Sequence, residues 1–397
     1  MSASIVPTGM GLAGPGDWRK TRTHAHERRP PLALIPHWAD LPGRLRAAAV
    51  SLGGYLPATA GGYLFSLLHV PLPWMMGALA VVAALSFAGR TPPVPRKGRC
   101  LGQLVLGVGI GLTFTAGAAG EAMQNIGAMV AAALLTLVAG AALAVPYRWL
   151  THADIRTALL ACIPGGPADM AILAERYGGD PLAVAVAQTF RITVIVTAVP
   201  PLVLLSGAIG QVDYSGAGVG FQPAGLAVMA VLSLLAAAAM QRLGLANAWL
   251  LGGVVAVGPL TANGWALSSL PDPFIAAAQV MLGASLGTMF DRSFLSSAHR
   301  ILFGSLVCSV LLVAGCALLA VAFAAATGLP LASLLISLAP GSVTEMGLTA
   351  RLMHLAVPLV TAFHVCRIVL TLLLAPRLMA LLVWATRRAR PVASTAD

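Results

Sequence analysis

The heptapeptide Pro164-Gly165-Gly166-Pro167-Ala168-Asp169-Met170 constrains this chain more than any other stretch, because a version of it returns 176 positions later as Pro340-Gly341-Ser342-Val343-Thr344-Glu345-Met346. Both copies open on Pro-Gly, place an acid five residues after the proline, and end on Met. The register continues without a gap to Pro200 and Pro376, pairing Ala174 with Ala350, Gln188 with His364, Arg191 with Arg367 and Ile192 with Ile368. Only eight of these 37 aligned positions are identical, which alone carries little in a chain rich in Ala, Val and Leu. The weight lies in which positions match: helix-breakers, an arginine inside an apolar run, and acid on acid. A repeated broken helix bearing a carboxylate is the pattern of a membrane transporter built from duplicated halves.

The surroundings of the motif are those of a bilayer protein. Of 397 residues, 58% are hydrophobic and 9% charged, with a mean hydropathy of +0.87, against about 25% charged residues in soluble domains. The net charge of +11 sits mainly in tails and short loops, as a positive-inside topology requires, so no nucleic-acid partner is expected. Cys100, Cys162, Cys308, Cys316 and Cys366 have neither metal-ligand nor disulfide spacing and read as buried small hydrophobes.

Residues 1–45 contain Pro, Arg and His without an apolar run, and read as a disordered basic tail. Six apolar segments follow over 46–205, at about 47–69, 72–90, 100–116, 125–146, 154–177 and 182–205. A polar, Gly-rich linker (206–222) leads to six more over 223–386, at about 223–241, 246–262, 273–290, 301–326, 330–352 and 356–385, and residues 387–397 form a second tail. Gln103, Gly107 and Gly111 correspond to Gln279, Gly283 and Gly287 at the same offset, and Pro73-Trp74-Met75-Met76-Gly77 resembles Ala248-Trp249-Leu250-Leu251-Gly252 at an offset of 175. The expected fold is an all-α polytopic membrane protein of two tandem repeats, each with about five crossings and one broken or re-entrant helix.

Loop charge bears on how the halves are related. If 154–177 and 330–352 dip into the membrane and return, the halves are inverted, and the outer loops 117–124, 206–222, 263–272 and 327–329 hold no Lys or Arg. If the two segments cross, the halves are parallel, and Arg176, Arg242, Arg292, Arg300 and Arg351 all fall outside. The positive-inside rule favours inverted repeats with both termini cytoplasmic, in a bacterial inner membrane. The Pro-Gly interruptions are equally compatible with an unwound crossing.

The candidate substrate- or ion-binding residues are Pro164, Gly165, Gly166, Asp169, Gln188 and Arg191, with Pro340, Gly341, Ser342, Glu345, His364 and Arg367. Proline removes a donor and glycine permits positive φ, so the helix opens and frees carbonyls and N–H groups. Such groups are tolerated at membrane depth when buried in protein or lining a water-filled cavity; the alternative is a packing kink. Asp169 and Glu345 fall in the first turn of the resumed helices, where an acid either caps N–H groups or carries a proton or cation. Arg191 and Arg367, at about 2.5–3.5 kcal/mol each on insertion scales, either pair with those acids or receive an anionic substrate. His364, present in one half only, is either a hydrogen-bonding residue or a group titrating near neutral pH. The chain displays no HExxH, CxxC pair, GxSxG or Walker loop, so no catalytic set, metal or cofactor is expected.

The duplicated IPGGPADM and APGSVTEM elements, the following QTFRI and HVCRI helices and the PWMMG and AWLLG segments resemble the membrane AbrB-duplication family over residues 46–386. Members of that family carry labels that include ammonia monooxygenase and AbrB-type regulator. It is similar in turn to cation/proton antiporters and anion or bile-acid transporters with crossed broken helices. This chain departs from those by its six apolar segments per half and by lacking a paired Asp-Asp or Asn-Asp. The expected function is a secondary transporter of a small solute or ion in the lipid bilayer, proton-coupled through Asp169 or Glu345, compatible with assembly as a homodimer. A membrane-embedded sensor acting on gene expression through a partner is the second reading, and a metal-dependent membrane enzyme the third.

Overall fold

The computed structural model describes residues 52–68, 70, 72–205, 219–245, 247–290 and 299–388. The tail assigned to 1–45, most of the linker at 206–222 and the last residues of the 387–397 tail lie outside the described residues. The described chain is helical throughout: α1 Leu56–Leu67, α2 Pro73–Phe87, α3 Arg96–Gly111, α4 Ala116–Gln124, α5 Ile126–Ala142, α6 Ala144–Thr151, α7 Ile155–Cys162, α8 Pro167–Tyr177, α9 Pro181–Leu205, α10 Pro223–Arg242, α11 Ala248–Ala262, α12 Asp272–Gly287, α13 His299–Thr327, α14 Leu331–Leu338, α15 Val343–Leu352 and α16 Val357–Arg388.

Five stretches are long and apolar enough to cross a bilayer: Ile126–Thr151, Pro181–Val203, Pro223–Arg242, His299–Thr327 and Val357–Val383. Along α13, Phe303, Leu306, Val310, Leu311, Leu318 and Val321 are exposed, an apolar outer surface suited to lipid. Of the ten full-length crossings expected, the other five (α1, α2, α3, α11 and α12) are only 12 to 16 residues long, below the about 20 needed to span untilted. One expected loop, 117–124, lies within the helix α4, whose Ala, Met and Gln are strong helix formers.

The helix bounds recur at the offsets of the sequence matches. Residues 96–111 and 272–287 are both helices, as are 155–162 and 331–338, while 73–87 and 248–262 recur at 175. The helices sort into two groups. In the first, α3 packs on α11 and α12, α2 on α12 and α1, and α10 on α11. The second gathers α5, α7 to α9 and α13 to α16; α15 bridges to the first group by packing on α3.

Glycines make the crossings in the first group. A Cβ on Gly107 would collide with the carbonyl of Leu250, and one on Gly111 with Val257. One on Gly283 would collide with the carbonyl of Met75, and one on Gly287 with Val82. In each pair the contacts advance together, so α3 runs parallel to α11 and α2 parallel to α12. Gly-mediated backbone approach is how apolar helices gain packing where lipid is as apolar as the side chains.

Gly107→Ala and Gly283→Ala therefore each force backbone apart. We expect each to lower stability by about 1–3 kcal/mol, read as a lower midpoint in thermal unfolding of detergent-purified protein. Gly315→Ala, whose added Cβ meets nothing within 4 Å, leaves the midpoint unchanged or raises it through helix propensity.

Candidate functional site

Each duplicated motif opens a four-residue gap between short helices: 163–166 between α7 and α8, and 339–342 between α14 and α15. The residue before each proline is extended, Ile163 at φ −61°, ψ 128° and Ala339 at φ −52°, ψ 132°, because the proline ring disfavours helix at the preceding position. The helix resumes differently in each half. Pro167 stands in the first turn of α8, where its missing N–H costs nothing. The Ser342 hydroxyl accepts from the Thr344 N–H to cap α15.

Neither Gly165 nor Gly341 adopts positive φ, contrary to the expected use of glycine. Their small size is what the fold uses. A Cβ on Gly165 would press into the Met170 side chain, and one on Gly341 would lie 3.0 Å from Met346 Cγ and 3.1 Å from Ile195 Cγ2. The methionine that ends each motif thus folds back over its glycine.

The first segment folds back on itself. The Arg156 guanidinium, at the start of α7, donates to the Tyr177 carbonyl at the end of α8 at 3.1 Å. The Asp180 N–H donates to Thr157 Oγ1 at 2.9 Å. A helix pair whose far ends meet this way folds back on itself as a hairpin.

The freed carbonyls have dedicated partners. Gln188 Nε2 donates to the carbonyls of Leu160 at 2.6 Å and Ile163 at 2.8 Å. Arg191 reaches those of Ala161, Cys162, Ile163 and Gly165 at 3.3–3.5 Å and also holds Gln188 Oε1. In the second half Arg367 donates to Ala339 at 2.6 Å and to Gly341, and His364 Nε2 sits 3.1 Å from the Ile336 carbonyl. Subtracting 176 maps these acceptors onto Ile163, Gly165 and Leu160. Arg191, Arg367, Gln188 and His364 are all buried. A cation at the C-terminal end of a half-helix offsets its partial negative charge, and carbonyl hydrogen bonds replace hydration.

The arginines do not pair with the acids of the broken helices, whereas Arg156 pairs with Asp154 at 3.9 Å. The anion-receiving alternative remains open to Arg191 and Arg367. The acids themselves differ. Asp169 is half-exposed, whereas Glu345 is buried with no partner for Oε2. His364 takes in one half the place that Gln188 takes in the other.

The two gaps meet. Pro164, Gly165, Gly166 and Arg191 line a cavity of about 70 Å³ together with Pro340, Gly341, Ser342 and Arg367. Asp169, Glu345, Gln188 and His364 do not line it. Two lining residues went unnoticed in the sequence, Arg99 of α3 and Asn247 just before α11. Both come from the first helix group, so the cavity lies between the groups. The local spacing of Arg96, Lys97 and Arg99 signals only a basic loop, and the α3–α11 crossing brings Arg99 to the breaks.

These features define a polytopic α-helical membrane protein with paired, broken helices converging on one polar cavity. A family model described as transition state regulatory protein AbrB matches residues 74–383, and also 29–172; the chain belongs to the AbrB family. It is 27% identical over 352 residues to a protein of Bacillus subtilis (strain 168) with the printed name Uncharacterized protein YhjN, covering 80% of this chain and 89% of that one.

Replacing His364 by Gln should preserve the bond to Ile336 and shift the thermal midpoint little. His364→Leu and Arg367→Met strand buried carbonyls, and each is expected to cost about 1–3 kcal/mol in the same unfolding measurement.

Proposed function

We propose that this protein is a secondary transporter of a small solute, with its site where the two Pro-Gly breaks meet. One observation carries the reading: both breaks and both buried arginines line a single cavity placed between two helix groups. Non-helical backbone at membrane depth is stable where it lines a cavity, and paired discontinuous helices are how transporters build a midplane site. Rocking of one helix group against the other across the apolar core they share would expose the cavity to each side in turn.

Inverted halves are part of this proposal. Consecutive crossings run antiparallel, so in a parallel duplication α12, as the copy of α3, would oppose α2. The parallel packing of α2 with α12 and of α3 with α11 supports inversion instead, as does the return of Tyr177 to Arg156. On that arrangement Thr91 faces the cytoplasm of a bacterial inner-membrane protein and Asn263 the outside. Cysteines placed there, in a background lacking the native five, should react with a membrane-impermeant maleimide from opposite sides. Labelling of both from one side would contradict inversion.

For coupling, Glu345 is the better-placed candidate of the two. Its buried Oε2 lacks a partner, and a bound proton or monovalent cation would satisfy it, whereas Asp169 has access to solvent. In proteoliposomes loaded with a pH-sensitive dye, a panel of cations, ammonium and small organic acids is expected to yield at least one solute-dependent proton flux. Glu345→Gln should abolish that flux while the protein stays folded, and Asp169→Asn should retain most of it. The family's description as a regulator favours a second reading, a membrane sensor acting through a partner. Under that reading no solute drives flux, and deletion of residues 1–40 removes the response.

A further inference from the structure

Resting on the transporter reading and naming its substrate class, we infer that the cavity between the two breaks binds a compact oxyanion, with Arg99 as a direct ligand. Three guanidinium groups line it, from Arg99, Arg191 and Arg367, and no carboxylate does. A cluster of three positive charges without a counter-charge is unfavourable, and an anion cancels that cost. The two buried arginines are anchored by backbone carbonyls, which orient them without neutralising them.

Donor capacity is left over. Arg191 is only 3% exposed, yet its Nε has no hydrogen-bond partner. The Ser342 hydroxyl uses an oxygen lone pair to cap α15, so its O–H remains available to donate. The half-helices α8 and α15 both begin at the cavity, at Pro167 and just after Ser342, and contribute positive helix ends. Arg99 has no hydrogen bond or ion pair among the described residues, and it is the one guanidinium supplied by the opposite helix group.

Size narrows the class. A volume of about 70 Å³ accommodates a few water-sized groups, each needing roughly 10–30 Å³. This fits a carboxylate of one to three carbons or a tetrahedral oxyanion, and excludes a nucleotide or bile-acid-sized ligand. Because Arg99 and Asn247 lie on one helix group and the arginine-anchored breaks on the other, the anion would bridge the groups.

The test is thermal unfolding of full-length protein titrated with sodium acetate, sulfate and phosphate at ionic strength held constant with sodium chloride. At least one oxyanion should raise the midpoint saturably, and Arg99→Gln should weaken its apparent affinity about tenfold or more. Arg99→Lys should recover part of the loss, and Arg96→Gln, on the same helix but outside the cavity, should bind as the unaltered protein. General stabilisation by sulfate or phosphate exclusion is not saturable and ignores Arg99. The inference is overturned if no oxyanion shifts the midpoint beyond chloride, or if Arg99→Gln binds like the unaltered protein. Oxyanion binding without flux would sink the transporter reading and leave this site standing; cation-driven flux without oxyanion binding would do the reverse.

Discussion

Arginine donating to backbone carbonyls is the interaction on which the second helix group depends. Each Pro-Gly gap leaves the carbonyls at the end of a short helix without intrahelical partners. Arg191 and Arg367 reach across from α9 and α16 to take those carbonyls. The gap needs the guanidinium for hydrogen bonds, and the guanidinium needs the gap for somewhere to place its charge. Gln188 and His364, one turn earlier on the same helices, extend the same brace to Leu160 and Ile336.

The first helix group solves a different problem. Five of its six helices are short, and glycines let α2 and α12, and α3 and α11, cross with backbone in contact. The same local geometry occurs twice, Gly107 on Leu250 and Gly283 on Met75, at the offsets that relate the two halves of the sequence. Close crossing also carries Arg99 and Asn247 to the edge of the breaks. A rigid panel and a braced, interrupted core facing each other across a polar cavity are the mechanical parts that alternating access requires.

Much of this was legible in the sequence for specific physical reasons. Proline and glycine act locally, so both breaks fell where the motifs placed them, and an arginine in an apolar run announced a buried role. What the arginines bind was not legible. An acid five residues beyond the proline suggested ion pairing, whereas the partners are carbonyls that every residue carries and no motif marks. Glycine's role at Gly165 and Gly341 was misread in the same way, since conformational freedom and mere smallness leave identical letters. Arg99 was missed because its neighbours Arg96 and Lys97 made it look like one of several loop charges; its position comes from a helix crossing more than a hundred residues away in sequence.

Motion between the two helix groups is the claim on which the account turns, and a reversible tether tests it most directly. Ile110 of α3 and Gly347 of α15 face each other across the groups, with Ile110 Cδ1 2.8 Å and Cγ1 3.6 Å from where a Gly347 Cβ would stand, which makes cysteines at the two positions direct neighbours. In a background lacking the native cysteines, Ile110→Cys/Gly347→Cys protein would be reconstituted and its solute-driven flux measured oxidised and then reduced. The account predicts that flux stops on oxidation and returns on reduction, with the protein folded throughout. Undiminished flux through fully cross-linked protein would contradict it.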